Sequence, residues 1–163
     1  MKKILLFLAF LSATFVQKSL SQENATQAQS QLSKLLNSYY NIKDALVAGN
    51  ASKAATNAET FVKVVNAIDY KVIAEGNIHA LLKDAGTISD TKDIKKQREQ
   101  FANLSANMIA LAKGTKLGAQ PIYETYCPMK KASWLSDNKT IRNPYYGSAM
   151  LSCGKVVETI KIK

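Results

Sequence analysis

The chain predicts an all-α protein: an up-and-down four-helix bundle closed by an irregular C-terminal cap that carries cysteine and methionine and has room for a short β-hairpin. Three observations lead there. Four stretches between residues 28 and 113 repeat their apolar residues at steps of three and four, the stripe of an amphipathic helix. The links between them are short, as in bundles of neighbouring helices. After Gly114 the pattern ends, and Gly118, Pro121, Pro128, Pro144, Gly147 and Gly154 interrupt any long helix.

Taken in order, Met1-Lys2-Lys3, the apolar run Ile4 to Val16 and the small residues Ser19 and Ser21 have the form of a secretory signal peptide, residues 1–21. The run is shorter than the ~20 apolar residues of a membrane span. The expected mature chain is therefore a periplasmic or secreted protein without a membrane span. It forms one domain over residues 22–163, divided into a bundle (28–113) and a cap (114–163). The first helix spans Ala28 to Ala48, with Leu32, Leu35, Leu36, Tyr39, Ile42 and Leu46 on its inner face. Gly49 ends it, and Asn50 or Ser52 caps a second helix to Ile68 through Ala54, Ala58, Phe61, Val62 and Val65. A third helix lies between Asp69 and Ala85, weakened by Gly76 at a cost of about 1 kcal/mol against alanine. Ser89 or Asp90 caps the fourth, whose seam is Ile94, Gln97, Phe101, Leu104, Met108 and Leu111, with Lys113-Gly114 as its stop. In the cap, Ile122 to Tyr126 has strand composition, and Val156 to Ile162 partly alternates like a second strand.

The formal charge of +10 over 163 residues invites a nucleic-acid reading. The basic residues are scattered, however. Lys92, Lys95, Lys96 and Arg98 share a stretch with Asp93 and Glu99, the mark of a solvated face, and neither a basic arm nor a stacking array is present. No phosphate-cradling glycine loop, His-Glu-x-x-His or Gly-x-Ser-x-Gly occurs, so no enzyme is expected.

Chemistry concentrates between Tyr126 and Gly154. Both cysteines, Cys127 and Cys153, two of the four methionines, Met129 and Met150, and the single tryptophan, Trp134, lie there. Thiolate and thioether donors favour soft ions, Cu(I) above all. Pro128 restricts the backbone of Cys127, and Met150 precedes Cys153 by three positions, one helical turn. His79, the only histidine, is a candidate further donor from the third helix. The cysteines lack the close ligand pairs of zinc fingers. The competing reading is a disulfide closing a 26-position loop, worth roughly 3 to 4 kcal/mol, which would make the segment a stapled protein-interaction module of the cell envelope.

The run Asp93-Ile94-Lys95-Lys96-Gln97-Arg98-Glu99-Gln100-Phe101, then Leu104-Ser105, Tyr126-Cys127-Pro128-Met129, Trp134-Leu135, Ile141-Arg142-Asn143-Pro144-Tyr145-Tyr146-Gly147 and Met150-Leu151-Ser152-Cys153-Gly154, resembles the bacterial family known as domain of unknown function 3347. The likeness covers most of the chain from about Leu32 and is most specific after Phe101. It implies small exported proteins, and modules attached to periplasmic adaptors of heavy-metal efflux pumps, that handle copper. It also implies Cys127, Met129, Met150 and Cys153 as the motif sulfurs. His79 falls near a family histidine that tryptophan usually follows, where this chain has Ala80.

Overall fold

The computed structural model describes residues 2–161, with side chains from residue 22 onward, so the expected signal peptide, residues 1–21, lies outside the residues described in full. Helices come first: α1 (Lys2–Val47), α2 (Ala51–Asn66), α3 (Glu75–Ser89) and α4 (Ile94–Gly114). Each packs on the next, and α1 also meets α4. The apolar stripes are the buried faces. Leu32, Leu35, Leu36, Tyr39, Ile42 and Leu46 of α1, and Phe101, Leu104, Met108 and Leu111 of α4, are at most 6% exposed.

Two helix starts differ from the sequence expectation, each for a local reason. Asp69 folds the chain into a turn, its carboxylate accepting from the Lys71 N–H at 2.8 Å and its carbonyl from the Val72 N–H at 2.8 Å, so α3 begins six residues later. It then runs through Gly86 to Ser89, where the Ser89 hydroxyl donates back to the Gly86 carbonyl. That moves the α4 cap to Asp93, whose carboxylate accepts from the Lys95 and Lys96 N–H groups. Asn50 caps α2 as expected, accepting from the Lys53 N–H at 2.9 Å.

The C-terminal part corrects the fold class. It is a three-stranded antiparallel sheet, β1 (Ile122–Cys127), β2 (Ala132–Ser136) and β3 (Lys155–Ile160), in the order β2-β1-β3. The chain is therefore mostly helical but not all-α, and the expected irregular Cys/Met cap is replaced by this sheet and the loop joining β2 to β3. Both expected strands form, as β1 and β3, but the hairpin is β1–β2, with Cys127 opposite Ala132. Lys131, at φ +57°, carries the turn.

β2 lies against α4. A column of aromatic rings crosses that junction. Tyr39 of α1 stacks on Phe101 of α4 at 5.2 Å, Phe101 meets Tyr145 of the β2–β3 loop at 6.1 Å, and Tyr145 meets the edge of Trp134 in β2 at 5.9 Å. The Tyr39 hydroxyl sits 2.7 Å from Ser105 Oγ and accepts from the Leu135 N–H at 3.1 Å, tying a helix to a strand with one atom. On the other flank, Glu124 and Glu158 are partners in the β1–β3 ladder, an arrangement of like charges that would repel. Lys113 at the end of α4 lies between them, 2.7 and 2.9 Å from the two carboxylates.

Candidate functional site

Cys127 closes β1, the central strand, and is 0% exposed. Cys153 arrives from the other direction, after a 3-10 turn at Gly147–Met150, and is partly exposed. Gly154 permits that approach. Its φ is +153°, and a Cβ there would stand 2.8 Å from the Trp134 ring and 3.2 Å from the Tyr126 carbonyl. The outcome is two sulfurs 3.6 Å apart, both free thiols. That is contact without a bond, since a disulfide measures about 2.05 Å.

Asn143 organises the pair. It is 0% exposed, and its side-chain amide donates to Cys127 Sγ at 3.2 Å and to the Cys153 carbonyl at 2.7 Å. Its side-chain oxygen accepts from the Tyr145 N–H at 2.8 Å, its N–H donates to the Leu151 carbonyl, and its carbonyl accepts from the Gly147 N–H. Gly147 seats the loop on the end of α1: its φ is +57°, and a Cβ would collide with the Arg98 guanidinium, which donates to the Leu46 carbonyl at 2.8 Å. Sequence reasoning read Pro144 and Gly147 as breaks in any helix and gave Asn143 no role of its own. The legible signal was the asparagine's turn, made by its oxygen with the Tyr145 N–H. The reach of its amide to a sulfur 16 positions away left no local trace.

The electrostatics of the two thiols diverge. Burial works against ionising Cys127, but the Lys130 N–H, at 3.5 Å from the sulfur, the Asn143 amide, the Cys153 thiol and the Met129 N–H outweigh it and hold the pKa below the ordinary thiol value. Cys153 is raised, by its hydrogen bond to Cys127 first, then by burial and by charge on Cys127. In effect the sulfurs share a proton: the first leaves early and the second late.

Of the candidate residues, then, Cys127 and Cys153 meet. Met129 follows Pro128 in the β1–β2 turn and is 61% exposed, and Met150 ends the 3-10 turn at 37%. His79 stands on α3, which packs on α2 and α4. Its imidazole is 72% exposed and 3.5 Å from the Glu75 carboxylate of the same helix. Among the described residues no three His, Cys, Asp or Glu side chains gather as a metal group. A cleft of about 430 Å³ lies instead between the end of α4 and β3, lined by Lys113, Lys116, Glu158 and Lys161 among others. Among the described residues no helix is long and apolar enough to cross a membrane.

No curated protein and no solved structure matches the chain. A family model does, over residues 35–120, from the second half of α1 through α4. The match stops short of β1, so the helices carry it and the cysteine pair lies beyond it. The matching family is described as Protein of unknown function (DUF3347), and with just over half of its length matched the chain belongs to that family.

Proposed function

We propose that this protein binds a soft ion, Cu(I) or Ag(I), between Cys127 and Cys153, and sequesters it or passes it on. The observation carrying the reading is the sulfur pair itself: 3.6 Å apart, with the buried member receiving N–H donors from Asn143 and Lys130. Such donors stabilise negative charge on sulfur, and a thiolate is the form that ligates metal. With metal–sulfur bonds of about 2.3 Å, sulfurs at this separation subtend roughly 100° at a shared ion. A straight two-coordinate site would need them about 4.6 Å apart. The bent angle leaves space for further donors, and Met129 and Met150, on turns beside the two cysteines, supply thioethers with freedom to swing inward. His79 is the weakest member of the proposed set, because it would have to leave Glu75 and reach across from α3. Delivery to a heavy-metal efflux adaptor, which rests on the family resemblance, and a periplasmic or secreted location, which rests on the signal-like residues 1–21, belong to the same proposal.

Titration of the reduced protein with Cu(I) against a competing chelator tests it. Cys127→Ser and Cys153→Ser should each lose more than the ~100-fold that an outer-shell partner can be worth, and Met129→Leu and Met150→Leu should lose less. Equal weak uptake by all five proteins would remove the idea. The second reading, a disulfide-stapled interaction module without metal, is favoured by the same contact between sulfurs. It predicts no titratable thiol in protein purified without reductant, and intact mass with and without denaturant separates the two.

A further inference from the structure

We propose a second activity for the cysteine pair that goes beyond ion binding and needs no metal: the reduced protein exchanges with external disulfides, Cys153 making the first bond and Cys127 the second. The division of roles follows from access. Cys127 is wholly buried at the end of the central strand, whereas Cys153 is partly exposed on the turn leading into β3. An incoming disulfide, R–S–S–R, reaches the Cys153 sulfur. Cys153, giving up its proton as it attacks one of these sulfurs, forms a Cys153–S–S–R bond, and the other half leaves and takes up that proton as R–SH.

The second step is intramolecular. Cys127 Sγ already lies 3.6 Å from Cys153 Sγ, near the separation of an attacking group poised to react. It attacks Cys153 Sγ, expels the second R–S⁻ and leaves a Cys127–Cys153 disulfide. Two cysteine sulfurs are oxidised, one external disulfide is reduced to two thiols, and the protons released by the cysteines end on those thiols. The sulfurs must close from 3.6 Å to about 2.05 Å. Asn143 is the positioning residue. One amide group holds both Cys127 Sγ and the Cys153 carbonyl, so it fixes the attacking sulfur relative to the backbone that carries the target. The substrate class is a small disulfide with an exposed sulfur.

Reduced, chelator-treated full-length protein mixed with glutathione disulfide tests the order of events, with intact mass and released glutathione as readouts. Wild type should release both halves and pass to the internal disulfide without accumulating a mixed species. Cys127→Ser should release one half and stop as the mixed disulfide at Cys153. Cys153→Ser should react at least about tenfold more slowly, because the remaining thiol is buried. Asn143→Ser, checked for an unchanged circular dichroism spectrum, should slow release of the second glutathione half while the first is released at least as fast as from wild type, whereas general loss of structure would expose Cys127 and let it react directly in the Cys153→Ser background. The proposal is overturned if Cys153→Ser reacts as fast as wild type, or if Cys127→Ser fails to trap the mixed disulfide. Because metal is removed throughout, these outcomes are separate from those of the copper titration.

Discussion

Leu35, Phe61 and Leu104 hold the helices together by burying apolar side chains, while the loop between β2 and β3 is held by Asn143 using every polar group it has. The difference lies in how each region can fail. Area is lost gradually, and a helix that loses one methyl group keeps the rest of its face. A buried polar hub fails at once, because removing it strands several partners that water cannot reach. The helical part is thus suited to bear the family's common architecture, and the loop to fix a few atoms at defined distances.

The sharpest way to break this contrast is at the place where both regions meet. Phe101→Ala removes the ring between Tyr39 and Tyr145 and should cost about 3–5 kcal/mol in denaturant unfolding, with helix and sheet signals lost together. Separate transitions would show that the aromatic column does not join them. Asn143→Leu comes next, at about 2–3 kcal/mol from stranding the Tyr145 N–H and the Cys153 carbonyl. Its effect should be local: amide exchange rises over residues 143–160 while α1 and α4 keep their protection, and an even rise throughout would erase the distinction between regions. Tyr39→Phe keeps the stacked ring but leaves the Leu135 N–H without its acceptor, for a loss of about 1–2 kcal/mol by thermal or chemical unfolding.

The smallest effect sits within the helices. Asp84 of α3 is 8% exposed and accepts from the Asn107 amide at 2.8 Å. Burial raises its pKa, against the opposing pull of Asn107 and Lys83. Since the folded value lies above the unfolded one, ionisation costs the fold stability; the cost is absent below the ordinary carboxylate pKa of about 3.9 and grows as pH rises through the folded value. Asp84→Asn should therefore raise Tm at pH 7 by about a degree or two, and the gain should vanish near pH 3.

How much could be read in advance follows the same division. The α1 and α4 stripes were legible residue by residue because helical burial repeats along the chain, and Gln97 fell in its predicted seam at 0% exposed. β2 was not legible. Its buried residues, Trp134, Leu135 and Ser136, are consecutive, so the strand lacks the alternation that marks a half-buried one. Of the candidate site, both cysteines could be singled out from donor chemistry, and the structure places their sulfurs in contact. Asn143 could not, since a contact between residues distant in sequence is written in neither of their neighbourhoods.

Lys113 adds a practical consequence. Hydrogen bonds that its ammonium donates to Glu124 and Glu158 raise its pKa against the opposing effect of burial, so its amine stays protonated where an ordinary lysine begins to offer a lone pair. Acylating dyes and crosslinkers consume unprotonated amines, and at mild pH they will modify this side chain late. Fluorescent labelling through lysine therefore leaves the latch between α4 and the last strand intact, and mass-spectrometric footprinting will find it among the slowest sites to react.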